Sequence, residues 1–310
     1  MKKTILLLAL ILTVSTLLST GAMAAVHGTF RTAAESVNRE WSNGDKLGFI
    51  NWINFDGLFK GDDWGNFQLG VKSWKMHVYE STAVDGNDDG LSYGDGDLSG
   101  NHGGETGFEF RPGYQKNTDW GTYGGQLIFS QGRGFETVNY DSWDAIKPEV
   151  NLTYNLSNRS RIFTRALYTY EQRDKIDYVN DWAELEVQYK YDIAGGTLGV
   201  GVFIGEGFEE KNFKGLDDRD EIRGLLNYVK YFPQTKIFMN SYSELRRWEN
   251  AAGDYANQYK VGVFINRPVA KNFIWEAEAN VFHEFDVNDG FNGDAYQELF
   301  FMTGLRYNFW

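Results

Sequence analysis

Apolar and polar residues alternate one by one along much of this chain. In the segment 145–156, large apolar residues hold most even positions and polar residues hold most odd positions. The same period of two recurs in 181–191, 197–207, 257–266 and 272–284. A period of two is typical of a β-strand with one apolar face and one polar face. The pattern therefore predicts an all-β protein.

Short polar turns divide the chain at nearly regular intervals. They lie at Phe59–Asp63, Lys116–Asp119, Ser157–Arg159, Asp192–Gly196, Phe232–Thr235 and Asn266–Lys271. Between them we predict fourteen strands: 26–36, 46–56, 64–79, 104–115, 120–131, 145–156, 160–171, 181–191, 197–207, 220–232, 236–248, 257–266, 272–284 and 297–309. Short turns alternating with longer loops favour an antiparallel up-and-down barrel, and the even number places both chain ends on one side, the periplasmic side.

The polar face of these strands carries many charges, and Tyr and Trp border the apolar face. Both features favour a transmembrane barrel, in which the apolar face points outward to lipid and the polar face inward to water. The inferred inward face mixes acidic and basic residues. The candidate pore-lining residues are Glu109, Arg111, Glu149, Arg161, Arg165, Glu184, Glu186, Arg223, Arg246, Glu276, Glu278 and Arg306.

Three predicted strands alternate poorly: the second, the third and the eleventh. In the third, the residues from Phe67 to Val71 and those from Trp74 to Val78 place their apolar groups at opposite parity. A β-bulge would restore a single apolar face, because it inserts one unpaired residue. We therefore expect a bulge between Val71 and Trp74.

The N-terminal residues indicate export from the cytoplasm. Lys2 and Lys3 precede a short apolar stretch, and Ala22-Met23-Ala24 supplies a cleavage site. These features predict a signal peptide at 1–24 and a single barrel domain at 25–310. The alternative, an N-terminal membrane anchor, is disfavoured because Thr13, Ser15, Thr16 and Ser19 interrupt the apolar stretch.

Composition narrows the chemistry. The chain contains no cysteine, which excludes disulfides and thiolate metal sites. Aromatic residues make up 16% and the net charge is −13, so nothing favours a nucleic-acid partner. The mean hydropathy of −0.46 agrees with strands that are only half apolar. We expect neither a cofactor nor a metal ion.

The last predicted strand, 297–309, alternates and ends in aromatic residues. A C-terminal strand of this kind resembles the signal by which the outer-membrane assembly machinery recognises its substrates. The apolar parity runs through Phe309, so Trp310 is one residue beyond the usual end. We expect a multi-pass protein of the bacterial outer membrane that contacts lipid.

Three local features resemble the outer membrane protein G family of monomeric porins. They are Lys147-Pro148-Glu149-Val150 before Tyr154, the segment Phe273–Phe285 with Glu276-Ala277-Glu278, and the aromatic C-terminus. The resemblance implies a fourteen-stranded, single-chain pore of low selectivity. In that family, rim histidines help to set a pH-dependent gate. Here His27, His77, His102 and His283 form no such pair, so pH gating is not expected.

A porin for ions and small hydrophilic solutes is the function that the pattern favours. The stretch from Met76 to Phe110 has no Lys or Arg and many acidic residues, which predicts a weak preference for cations. Asp85–Gly90 also matches the start of a calcium loop, but Gly96 stands where the last ligand is expected. A merely solvated loop is therefore favoured there.

Two other functions remain open. The first is a channel that prefers neutral oligosaccharides, with Phe203 and Trp248 as inward rings. The second is an outer-membrane hydrolase using His77 or His283. Glu284 adjoins His283, but neighbouring residues of a strand point to opposite faces, which makes this a poor catalytic pair.

Overall fold

The computed structural model describes residues 26–41, 44–61, 65–82, 102–135, 142–173, 179–208, 219–250, 253–288 and 297–309. The predicted signal peptide, most of the acidic stretch and its calcium-like segment, and Trp310 lie outside these ranges. No helix in the described ranges is long and apolar enough to cross a membrane.

Fourteen antiparallel strands form one closed barrel, as the sequence predicts. Each strand pairs with its sequence neighbours, and β1 pairs with β14 to close the ring. The strands are β1 Val26–Trp41, β2 Gly44–Lys60, β3 Asn66–Thr82, β4 His102–Thr118, β5 Gly121–Phe135, β6 Trp143–Asn155, β7 Ser160–Arg173, β8 Val179–Ile193, β9 Gly196–Gly207, β10 Asp220–Phe232, β11 Ile237–Glu249, β12 Tyr255–Ala270, β13 Phe273–Asn288 and β14 Gln297–Phe309.

Several strands are longer than predicted. β1 extends to Trp41 and β2 already begins at Gly44. Only two residues therefore connect these strands, where a longer loop was expected. β12 continues to Ala270 instead of ending at Asn266. Pro268 lies within this extension, although proline cannot donate a ladder hydrogen bond. A register shift between Pro268 and Ala270 accommodates it.

The expected bulge in β3 is wrong. The register of β3 is continuous with both β2 and β4, and Trp74 lies directly opposite Trp52 and Gly107. The change of parity is real and has another cause: Trp74 belongs to the inner face, which carries large aromatic rings as well as charges. The irregularities of register lie between β12 and β13 instead, beside Ala256 and Pro268.

The two ends of the barrel differ in their connections. At one end, here called the short-turn end, six short connections join β2–β3, β4–β5, β6–β7, β8–β9, β10–β11 and β12–β13, and both described chain termini lie there. The β8–β9 turn is Ala194–Gly195, in which both residues have positive φ (52° and 71°). That geometry matches the right-handed twist of the flanking strands. The other end is called the long-loop end.

The outer surface of the barrel is apolar. Large side chains that a water-soluble protein would bury are instead exposed, among them Ile146, Val150, Leu185, Val200 and Leu226. They alternate along their strands with the charged residues of the inner face. Exposed apolar surface on this scale indicates contact with lipid. The chain is therefore built to span a membrane with its apolar face outward.

Candidate functional site: the charged inner wall

Side chains on the inner face converge across whole strands. Arg111 on β4 donates to Asp56 on β2 at 2.9 Å, passing over Gly70 of the intervening β3. A Cβ added at Gly70 would lie 2.6 Å from Arg111 Nε. Contacts between side chains two strands apart form readily on the concave side of a curved sheet, where side chains converge. Arg111 and Asp56 thus point into the barrel.

All twelve candidate residues from the sequence lie on strands and point the same way. The structure joins most of them into separate local groups around Arg111, Arg165, Arg223 and Arg306. Each group links neighbouring strands at its own position around the ring.

The largest group centres on Arg165 of β7. Its guanidinium lies 3.8 Å from Glu149 on β6, 3.4 Å from Glu184 and 3.3 Å from Glu186, both on β8. The four residues occupy three adjacent strands, and their side chains keep partial exposure to the interior. Three carboxylates around one cation leave this part of the wall with excess negative charge.

A second group surrounds Glu221 of β10, which is only 3% exposed. Its carboxylate accepts from Arg223 and, at 2.6 Å, from Arg246 on β11. Arg223 also lies 3.7 Å from Glu244 and covers the ring of Phe203 at 4.2 Å. Sequence reasoning missed Glu221, although it shares the parity of Arg223 and could have been found by that signal.

A third group joins the closing strands. Glu276 of β13, 2% exposed, pairs with Arg31 of β1 at 2.8 Å and with Arg306 of β14 at 3.2 Å. One buried carboxylate therefore links three consecutive strands across the seam where β1 meets β14. The sequence predicted Glu276 and Arg306 but not Arg31.

The remaining candidates have partners of their own. Arg111 pairs with Glu109 at 2.9 Å as well as with Asp56. Arg161 lies 3.3 Å from Asp192 on β8. Glu278 accepts a hydrogen bond from Tyr242 of β11, whose hydroxyl in turn accepts from Asn280 at 3.1 Å.

These contacts define the electrostatics of the wall. Acids and bases interleave on neighbouring strands, so charges are compensated within a few ångströms instead of being sorted into opposed rows. A hydrated wall of this kind accommodates polar solutes without binding any of them tightly. This arrangement disfavours a strong electric field across the interior of the barrel.

Some carboxylates of the inner face are held by neutral donors instead. Glu105 of β4 accepts from Trp74 Nε1 at 2.8 Å and from Trp143 Nε1 at 2.6 Å, and the two indoles stack with centroids 6.1 Å apart. Glu35 of β1 accepts from Trp52 Nε1. Indole N–H groups orient a carboxylate without cancelling its charge.

Inner-face glycines provide the space for these rings. A Cβ at Gly107 would lie 1.8 Å from Trp74, and one at Gly132 would lie 2.2 Å from Trp143. Sequence reasoning missed Arg31, Asp56 and Glu105 because the outward positions of β1 to β4 include many Ser, Thr and Asn residues. With polar groups on both faces, parity alone does not identify the inner face.

Phe203, one of the two aromatic residues proposed for sugar binding, is poorly suited to it. Phe203 is 3% exposed, and the Arg223 guanidinium covers its face. A stacked sugar would need an open ring face. This contact weakens the oligosaccharide hypothesis at Phe203.

The histidine proposed for hydrolysis is separated from its neighbour. Glu284 is buried on the inner face of β13 and accepts from Gln258, whereas the ring of His283 contacts the exposed Tyr259 at 5.4 Å. The two side chains lie on opposite faces, as predicted. Within the described ranges, no three His, Asp or Glu residues are grouped as metal ligands.

Comparison with known proteins agrees with this architecture. No known family model matches the chain, and no curated protein sequence does. Solved structures do match over nearly the whole length. One is a deltaS2 mutant of the TodX monoaromatic hydrocarbon channel, with a TM-score of 0.59, 6% identity, and coverage of 91% of this chain and 90% of that chain.

A second is a Pseudomonas aeruginosa FadL homologue, with a TM-score of 0.55, 7% identity, and coverage of 92% and 90%. The fold is that of outer-membrane β-barrels. Together with the apolar outer surface, it makes this chain a multi-pass protein of the outer membrane. At such low identity the likeness concerns the fold alone.

Proposed function

We propose that this protein is an outer-membrane channel for the passive diffusion of ions and small hydrophilic solutes. The observation that carries the proposal is the contrast between the two faces of a closed ring: apolar side chains outside, and paired charges inside. In the described ranges no helix or additional strand occupies the interior. The twelve candidate residues would then line the conducting path.

The chemistry of the wall favours hydrophilic over apolar solutes. The TodX structure is described as a monoaromatic hydrocarbon channel. An apolar solute gains nothing from a path lined by guanidinium and carboxylate groups, whereas ions and hydrated solutes exchange water for polar contacts there. The likeness to outer membrane protein G, a single-chain pore of low selectivity, agrees with this choice.

A weak preference for cations completes the proposal. Arg165 faces three carboxylates, and Glu105 is held by two neutral indoles. Fixed negative charge in a narrow aqueous path raises the local concentration of cations. Because most other charges are paired locally, the preference should be mild.

Reversal potentials in a planar lipid bilayer test the preference. Purified, folded protein in a salt gradient should give a potential of the sign expected for cations. Glu105→Gln should move that potential toward zero, because it removes a charge from the path. Glu206→Gln removes the same charge from the outer face of β9 and serves as the control. An anion-selective potential, or equal shifts in both variants, would contradict the proposal.

A further inference from the structure

One side of the inner wall, around the seam where β1 meets β14, is largely apolar. Ala33, Trp52 and Met302 form a buried cluster there. Four more apolar side chains pack against this cluster: Ile50, Trp74, Phe264 and Phe300. Apolar surface that faces an aqueous path carries a free-energy cost, and the passage of ions gives no reason for it. This side of the wall therefore has a chemistry that small ions do not use.

Three carboxylates lie in or beside this apolar side, and neutral groups hold all three. Glu35 of β1 accepts from the Trp52 indole, Glu105 of β4 accepts from two indoles, and Glu278 of β13 accepts from the hydroxyl of Tyr242. Among the described residues, none of the three carboxylates forms a salt bridge. No guanidinium or ammonium group of that part of the chain therefore offsets their charge at close range.

The strand register places the three acids in one continuous row with apolar residues between them. Each member lies directly opposite the next on the adjacent strand, from β13 through β14, β1, β2 and β3 to β4. Residues directly opposite each other on one face are close neighbours, because their Cβ atoms are about 4.5–5.5 Å apart. We call this set the seam row, and in order it consists of Glu278, Met302, Glu35, Ile50, Met76 and Glu105.

The spacing of the acids along the seam row suits a linear molecule with several charges. Adjacent strands are about 4.8 Å apart, so Glu278 and Glu35 are about 10 Å apart at the backbone, and Glu35 and Glu105 about 14 Å. The carboxylate ends lie closer together, because side chains converge on the concave side of the barrel. One apolar side chain separates the first pair of acids and two separate the second. A row perpendicular to tilted strands also runs obliquely to the pore axis, so a molecule bound along it lies partly along the path.

A buried acceptor without a donor lies next to the row. Asn280, two residues beyond Glu278 on the inner face of β13, is 6% exposed, and its amide nitrogen donates to the Tyr242 hydroxyl at 3.1 Å. Its Oδ1 atom is buried and has no hydrogen-bond donor among the described residues. A buried acceptor left in this way costs about 1–3 kcal/mol. An ammonium group bound at Glu278 brings three N–H donors to this position, which favours a ligand with primary amines.

Lys72 of β3 shows how such a group lies against this wall. Its side chain is a primary ammonium on a flexible alkyl stem, and its Nζ atom lies 5.1 Å from the centroid of the Trp52 ring. The guanidinium of Arg31 covers the same ring at 5.3 Å while it bonds to Glu276. The indole that holds Glu35 therefore also accepts cations on its faces.

We propose that the seam row binds linear aliphatic polyamines. Their ammonium groups bond to the three carboxylates, and their methylene chains lie on Met302, Ile50 and Met76. The match is one of charge and order, because cations alternate with apolar segments in the ligand as acids alternate with apolar side chains in the row. This inference names a class of solute for the channel, and it rests on the function proposed above because an open pore gives such solutes access to the row.

Equilibrium binding tests the row without requiring conduction. In calorimetric titrations of the folded protein in mild detergent, spermidine, a trivalent triamine, should bind more tightly than hexaamminecobalt(III), a compact ion of the same charge without methylene groups. Glu35→Gln should raise the dissociation constant for spermidine about tenfold, the effect of losing one hydrogen bond to a charged group.

A matched substitution on the opposite side of the ring gives the control. Glu186→Gln removes the same charge from β8, where Arg165 holds the carboxylate, and should change the dissociation constant by less than about twofold, because salt screens charges at that distance. No binding of spermidine, equal binding of the two cations, or equal effects of the two substitutions would overturn the proposal.

Block of the single-channel current tests where the polyamine lies and separates the row from the channel. In a planar bilayer, spermidine should interrupt the current in a concentration-dependent way. Ile50→Lys places an ammonium group of the chain's own beside Glu35 and should remove the block. Leu167→Lys places the same group opposite Glu184, outside the row, and should retain it.

The two measurements fail in different ways. Equal loss of block in both lysine variants would overturn the proposal. Conduction without spermidine binding or block would refute the row and leave the channel standing, whereas binding without conduction would support the row and refute the channel.

Discussion

At the scale of single residues, buried carboxylates between guanidinium groups hold neighbouring strands together. Glu221 is nearly inaccessible and contacts both Arg223 and Arg246. Glu221→Gln would leave two cations close together with less compensation. Breaking a buried pair typically costs about 3–5 kcal/mol, and partial hydration of the barrel interior should bring the loss toward the lower value. Urea unfolding in lipid vesicles, followed by tryptophan fluorescence, measures it.

A matched change at the surface gives the control. Glu249 pairs with Arg247 at 3.0 Å, but both side chains are about half exposed at the long-loop end. Glu249→Gln should cost less than about 1 kcal/mol, because water screens such pairs. If both substitutions cost the same, burial of Glu221 is not what makes its contacts important.

A second prediction at this scale concerns the glycines of the inner face. Gly107→Ala places a Cβ where Trp74 lies, so the indole must move and release Glu105. We expect a loss of about 1–3 kcal/mol in the free energy of unfolding, typical of overpacking. The loss should disappear when Trp74 is first replaced by leucine.

Gly224 provides the comparison, since no atom lies within 4 Å of a Cβ built there. Gly224→Ala should be neutral or slightly stabilising. A similar loss at Gly107 and Gly224 would mean that glycine is needed for its backbone freedom and not for the space beneath Trp74.

At the scale of elements, alternation predicted the strands well where one face is charged and the other is large and apolar. β6, β8 and β9 are of this kind, and their bounds differ little from the expectation. β1 to β3 were predicted less well. Their inner face carries Trp52 and Trp74 while their outer face carries Asn51 and Ser73, so hydrophobicity alone does not separate inside from outside.

The sequence identified many charged residues of the inner wall, but it missed Arg31, Asp56, Glu105 and Glu221, and it did not show which charges pair. Arg165 and its three acidic neighbours were identified as inner-face residues, because each occupies the charged set of alternate positions on its own strand. The contact of Glu276 with Arg31 joins the two ends of the chain, and only closure of the ring brings them together. Likewise, Asp56 reaches Arg111 because Gly70 between them has no side chain, a three-strand arrangement that sequence does not display.

Adjacent leucines on β10 test which face of a strand meets lipid. Leu226 is exposed at the centre of the strand, whereas Leu225 has the parity of the inner residues Arg223 and Asn227. Leu226→Arg should destabilise the barrel by about 2–4 kcal/mol in lipid vesicles, the cost of an outward arginine at the midplane. Leu225→Arg should cost clearly less. The reverse order would show that the faces are assigned the wrong way round.

At the scale of the whole molecule, one closed ring separates two environments and turns a different face to each. The inner wall is compensated almost everywhere, which suits diffusion without tight binding. The outer wall is apolar, and the strands at the seam between β1 and β14 expose Phe30, Phe301 and Leu305 there.

The account depends most on the inner residues facing a continuous aqueous path. Asn227→Cys places the only thiol of the chain on the inner face of β10, and Leu226→Cys places it on the outer face. A charged, membrane-impermeant thiol reagent should reduce the single-channel current of Asn227→Cys in a planar bilayer. The same reagent should leave Leu226→Cys unaffected. Block through Leu226 but not Asn227, or no conductance from folded protein, would contradict the account.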